Sequence, residues 1–111
     1  MSQLVQMKRG SAELAVLAVL EQEPLHGYEI AKRIEARSGG ELRFDVASLY
    51  PLLYRLEARG LLKGNWEETP QGRKRRSYRL TVRGRKALAP LRRSWRTFFD
   101  ALDLVAGVRR G

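Results

Sequence analysis

Apolar and polar positions alternate along the chain in patterns that predict a helix three times over before any strand. "LAVLAVL", Leu14–Leu20, is apolar on nearly every side of a helical wheel. The helix it forms, with Ser11 as cap and Pro24 as stop, therefore belongs in a core or between subunits. In "LHGYEIAKRIEARSGG", Ile30, Ala31 and Ile34 make the buried stripe of a second helix, and Gly39 and Gly40 supply its C-terminal stop. Asp45 is placed to cap a third, in which Leu49, Leu52, Leu53 and Leu56 recur at i, i+3, i+4 and i+7. The opposite face of that third helix is unusual. Ala47, Tyr50, Pro51, Tyr54 and Ala58 stand where solvated Glu and Lys are expected.

After Gly60 the period shortens to two. Leu62 and Trp66 share one face while Lys63 and Glu67 share the other, and Tyr78 and Leu80 alternate with Arg79, so two strands are expected. "TPQGRKRR" lies between them, its Pro and Gly marking a hairpin loop that carries Arg73, Lys74, Arg75 and Arg76. Thr81 then caps a last helix running to about Ala106. Along it Leu88, Leu91, Trp95, Phe98, Leu102 and Val105 are spaced 3, 4, 3, 4 and 3, a heptad-like seam. Two partners fit that seam: the chain's own first helix, or a second copy with the first helix contributing. Self-association is favoured, because a small three-helix core is too small to cover the stripe alone. Pro90 should kink the helix near its start.

Composition narrows the chemistry. The 111 residues make one domain on length alone, with no repeat or linker, and carry a formal charge of +10 from 22 basic and 12 acidic residues. Such a balance favours polyanionic partners. Cysteine is absent and His26 is the only histidine, so Cys-based metal sites and Ser/His or Cys/His nucleophile systems have no material. No catalytic residue, metal or cofactor is expected, and the chain does not read as an enzyme. The longest apolar run is too short to span a bilayer, which needs about 20 residues. The expected location is the cytoplasm. His26 itself is a capping or packing residue, or else a pH sensor or ligand.

Half of the basic residues fall between Arg73 and Arg96, and no acid stands between Glu68 and Asp100. A cationic hairpin beside an uncharged helix face suits nucleic acid, because phosphate contacts supply affinity while the helix reads base edges. The order helix, helix, helix, strand, basic loop, strand is that of a winged helix-turn-helix. In it the second helix crosses the backbone, the third enters the major groove and the loop is the wing. Tyr50 and Tyr54 are then exposed because DNA forms their other wall; packing beneath the wing is the alternative.

Three stretches in register, "LHGYEIAKRIE", "ASLYPLLYRLEARGLL" and "GRKRRSYRLTVRGRKAL", resemble the PadR family of bacterial transcriptional regulators, over Gly10 to about Val105. The resemblance implies a winged-helix domain, a C-terminal dimer helix and autoregulated repression relieved by a ligand or stress signal. It carries Tyr28, Ser48, Tyr50, Tyr54 and the wing Arg73, Lys74, Arg75 and Arg76 onto the DNA surface, and makes Gly27 the point where a helix N-terminus passes close to the DNA backbone. Ala47, where many members have glycine, and Pro90 depart from the pattern. Short relatives that sense drugs clamp planar aromatic compounds between a tryptophan pair. That implies a site at Trp95, with Arg92 and Arg96 at its rim; ordinary interface packing is the alternative.

The expectation is therefore a mainly α protein with a small β-hairpin. Residues 1–81 form the winged helix-turn-helix with its wing at 68–77, and residues 82–111 form the C-terminal dimerisation helix through Leu88, Leu91, Trp95, Phe98, Leu102 and Val105. Its function would be that of a homodimeric repressor on an inverted-repeat operator in double-stranded DNA, released by a small planar aromatic effector, with no membrane partner. The competing reading is a basic RNA-binding or ribosome-associated protein using the same helix and wing.

Overall fold

The computed structural model describes residues 2–107, and side chains from residue 10 onward. Helices α1 (Ser2–Val19), α2 (Gly27–Arg37), α3 (Val46–Ala58) and α4 (Val82–Ala106) and strands β1 (Leu25–His26), β2 (Leu62–Glu68) and β3 (Lys74–Leu80) follow in the order α1-β1-α2-α3-β2-β3-α4. The helices pack on one another and on one face of an antiparallel sheet of order β1-β3-β2. Residue 1 and residues 108–111 of the two expected segments lie outside the described residues.

The leucine stripe of α3 is the centre of the core: Leu49, Leu52, Leu53 and Leu56 are all 3% exposed or less. Each such burial contributes roughly 1.5–3 kcal/mol. Val16, Leu17, Val19 and Leu20 of the α1 end, Ile30 and Ile34 of α2, Leu25, Leu62, Tyr78 and Leu80 of the sheet and Leu88 of α4 close around them. Asp45 caps α3, accepting the Ser48 N–H at 2.9 Å, and Thr81 caps α4, accepting the Gly84 N–H at 3.0 Å. The Thr81 hydroxyl also donates to the Gly60 carbonyl at 2.6 Å. A Cβ on Gly84 would lie 2.2 Å from the Leu61 carbonyl oxygen, so only glycine lets the first turn of α4 sit this close to the entry of β2.

Three expectations need correction. First, α1 starts at Ser2, so Ser11 lies inside the helix, which ends at Val19, short of Pro24. Gly10 lies inside it too, and its missing side chain makes room for Trp95 of α4: a Cβ there would stand 3.1 Å from the indole Cζ2. Second, the helices are not all in place before any strand. Leu25 and His26 pair with Tyr78 and Ser77 of β3, in a strand too short to show a period. Third, the hairpin loop is shorter than expected. Thr69 and Arg73 close it through Thr69 N–H to the Arg73 carbonyl at 2.7 Å, and Gly72 turns the chain at φ 81°. Lys74, Arg75 and Arg76 are consequently strand residues. Helix α4 runs without a break from Val82 to Ala106, with Pro90 inside it.

Candidate nucleic-acid interface

α3 shows its uncharged face to solvent, as its spacing requires once the leucines are buried. Ser48, Pro51, Tyr54 and Ala58 are exposed, Tyr54 to 52%. Tyr50 is half-buried, and α2 supplies part of its cover. A Cβ on Gly27 would lie 2.6 Å from the Tyr50 hydroxyl oxygen, so the phenol lies directly on the buried first residue of α2. Gly27 is thus the seat of the Tyr50 phenol. The Tyr50 and Tyr54 rings stand 6.2 Å apart at 39°, forming one aromatic ridge. Tyr28 of α2 is 60% exposed, with Lys32 Nζ 5.2 Å from its ring centre. The tyrosine oxygen holds the Lys32 ammonium above its ordinary range, chiefly by hydrogen bonding. The i, i+4 spacing from Tyr28 is what brings Lys32 onto this face of α2.

His26 ties this platform to the wing. Its backbone N–H donates to the Glu29 carboxylate at 2.9 Å, and that bond, followed by the one from the imidazole, holds the Glu29 carboxyl below the usual carboxylate range. The other ring nitrogen meets Glu67 of β2 at 2.9 Å. Both ring nitrogens thus face carboxylate oxygens. His26 therefore caps and packs.

The four wing cations separate into two groups. Arg73, Lys74 and Arg75 are exposed, Arg73 in the loop and the other two on β3. Arg75 and Lys74 stand in register with Glu67 and Glu68 of β2, so this hairpin is less cationic than the run of bases alone suggested. Arg76 turns inward. Its Nη2 donates to Glu57 of α3 at 2.6 Å, and its guanidinium lies 5.6 Å from the Trp66 ring and 5.7 Å from the Tyr78 ring. Glu57 accepts the Gly64 N–H as well, at 3.1 Å. Arg76 is an anchor between wing and recognition helix and not a free wing cation. Trp66 shares a strand face with Leu62, as its spacing predicts, and is 67% exposed where the hairpin runs out past the edge of the core.

The model of the family described as "Transcriptional regulator PadR-like family" matches residues 16–90, which spans α2, α3 and the whole wing. The chain belongs to the PadR-like family. It is 36% identical over 89 residues to transcriptional regulator Rv3488 of Mycobacterium tuberculosis, covering 80% of this chain and 79% of that protein. Among solved structures it is similar to a PadR-like transcription factor from Bacteroides fragilis, at 30% identity and TM-score 0.79 over 96% of this chain and 100% of that one. It is also similar to a PadR family transcriptional regulator from Eggerthella lenta, at 30% identity and TM-score 0.78 over 97% and 92%. This PadR-like chain is accordingly a transcriptional regulator with a DNA-binding winged helix, and no helix among its described residues is long and apolar enough to cross a membrane.

Along α4 of this PadR-like regulator the seam changes character. Leu88 is 2% exposed and belongs to the chain's own core, which removes it from any surface a partner could reach. Leu91 and Trp95 are half-buried, Trp95 over Gly10 of α1. Further on, Leu102 is 46% and Val105 88% exposed, and Phe99 and Leu104 beside the seam are 40% and 89% exposed. Trp95, Phe98 and Phe99 form an aromatic cluster with ring centres 5.5–5.9 Å apart. Arg92 grips Glu21 just beyond the end of α1 through two bonds of 2.7 and 3.2 Å. That hydrogen-bonded pair lowers the Glu21 carboxyl and raises the Arg92 guanidinium.

Proposed function

We propose that this PadR-like regulator is a homodimeric repressor that binds an inverted-repeat operator. The observation that carries the reading is the uncharged ridge of exposed Ser48 and Tyr54 and half-buried Tyr50 on α3, standing opposite four buried leucines and beside a cationic hairpin. Ser48, Tyr50 and Tyr54 would face base edges and sugars in the major groove. Tyr28, with Lys32, would cross the backbone, and Arg73, Lys74 and Arg75 would hold flanking phosphates.

Residues 1–81 then read DNA and residues 82–111 assemble the dimer. This division is functional rather than one between separately folding units, since Gly84 and Leu88 belong to the core of the first segment. The dimer surface comprises Leu91, Trp95, Phe98, Leu102 and Val105, and its apolar end on α4 is what a second copy would cover. Trp95 and its aromatic neighbours are where a planar aromatic effector would enter between the two copies and change the spacing of the two α3 helices.

Titration against an inverted-repeat duplex, recovered by the protein from a random-sequence library, and against a structured RNA of equal length tests the core of this reading. Preference for the duplex by a factor of about 10³ or more is expected, the lower end of specific over non-specific binding. Equal or tighter binding to the RNA would replace the operator reading with the ribonucleoprotein one. Adding flat aromatic compounds to the duplex complex tests release.

A further inference from the structure

We infer that Trp66 is a DNA-contacting residue of the wing, packing its indole on a sugar-phosphate strand that passes between α3 and the hairpin. The inference rests on the DNA-binding reading above and adds to it a residue of a different chemical kind. Trp66 is among the largest side chains of the protein and is 67% exposed on a hairpin whose other outward residues are mostly polar or charged. Isolated exposed apolar residues are ordinary. This one is held in place. The Arg76 guanidinium lies 5.6 Å from its ring, and Arg76 is itself fixed by Glu57 of α3. A Cβ on Gly64, the preceding residue of the same strand face, would overlap the Arg76 side chain. Gly64 therefore leaves the gap through which Arg76 reaches the recognition helix.

The placement fits a nucleic-acid strand. Residues alternate across β2, so Trp66 lies on the face of Leu62 and Gly64, the face that Arg76 links to α3. When a helix lies in one groove and a hairpin reaches toward the next, the backbone between the grooves passes through that angle. An indole offers apolar area to deoxyribose carbons and an N–H to a phosphate oxygen, at low conformational cost for a ring already packed on a guanidinium. The acids of β2 do not oppose this. Glu67 points to the other face and is bonded to His26, and Glu68 stands in register with Lys74.

The two kinds of wing contact separate by salt. A cation on a phosphate releases counterions, so its loss flattens the dependence of affinity on salt, whereas loss of an apolar contact lowers affinity equally at every salt concentration. Trp66→Ala, Trp66→Phe and the triple Arg73, Lys74, Arg75→Ala variant are to be titrated with the library-selected duplex between 50 and 300 mM salt. Emission of Trp66 is followed in a Trp95→Phe chain. Trp66→Ala should bind roughly tenfold more weakly with an unchanged salt slope, Trp66→Phe within about threefold of the parent, and Trp66 emission should change on duplex addition. Trp66→Ala binding within twofold of the parent, with the triple variant impaired, overturns the inference and leaves the operator reading standing. A shift in oligomeric state of Trp66→Ala overturns it too, by assigning the indole to a protein contact. Failure of the parent chain to select any duplex overturns both.

Discussion

Arg76 of the wing reaches across to Glu57 of α3, with Nη2 and Oε2 2.6 Å apart and both side chains 26% exposed, so the hairpin and the recognition helix share one ion pair. The pair closes over Gly64, whose N–H the same carboxylate accepts. A wing that hung only from its two strands would move independently of α3. This one is fixed to it.

Glu57→Gln should therefore lower stability by about 1–2 kcal/mol, since it weakens a partly buried charged hydrogen bond. Gly64→Ala should cost a similar amount by driving Arg76 out of its place. The two effects should not add, and a double-mutant cycle in urea checks that coupling. Full additivity would mean that Arg76, Glu57 and Gly64 do not act as one unit.

Gly27→Ala puts a methyl group where the Tyr50 phenol lies. Specific duplex affinity should fall by about 1–3 kcal/mol, the scale of one lost groove contact. Tyr50→Ala should give a comparable loss, and combining the two should add little. Tyr54→Ala is an independent loss of the same order, because that ring does not rest on Gly27.

Replacing Arg73, Lys74 and Arg75 by Ala should weaken binding to all duplexes and reduce the slope of log K against log salt by about 2–3 per protomer, from roughly 0.9 per phosphate contact. Adding Arg76→Ala should instead reduce stability and change the slope little further. A slope change from Arg76→Ala as large as that from its neighbours would return it to the phosphate-binding set.

Tyr78 is fully buried and its hydroxyl has no hydrogen-bond partner among the described residues, so Tyr78→Phe should be neutral or stabilise the fold by up to about 1–2 kcal/mol. Burial pushes the phenol up to about 12. The unfolded chain loses this proton near pH 10 while the folded chain keeps it, so the group's contribution is intact below pH 10 and is lost as pH rises toward 12. Urea midpoints at pH 9 to 12 should show a steeper alkaline loss for the parent than for Tyr78→Phe. Parallel curves would mean that the phenol titrates alike in both states.

Leu102→Glu with Val105→Glu places charge on the uncovered end of α4 and should leave the monomer fold intact, because both side chains already face solvent. Light scattering at micromolar concentration should show dimers for the parent and monomers for the variant, with loss of tight inverted-repeat binding, since the second half-site contact is no longer intramolecular. A monomeric parent chain would remove the dimer from the proposal.

The leucines of α3, its Asp45 cap, the strand alternation at Tyr78 and Leu80 and the Thr81 cap of α4 could all be read from residue order. Each depends on a period or a hydrogen bond spanning a few residues, which local spacing determines completely. The same holds for the exposed faces of α2 and α3, because a helix that buries one stripe must present the other. What residue order could not give was the use of a side chain by a residue far away in sequence. Arg76 looked like its three basic neighbours until Glu57 was beside it, and the face that Trp66 shares with Leu62 did not say how far the hairpin runs past the core. Nothing in residue order said that Gly10 and Gly27 seat the rings of Trp95 and Tyr50. Leu88 looked like the head of an interface until the chain's own helices covered it. Sequence by itself set which surfaces exist, through periodicity. Only the tertiary packing decided which of those surfaces the molecule covers with its own side chains and which it leaves for a partner.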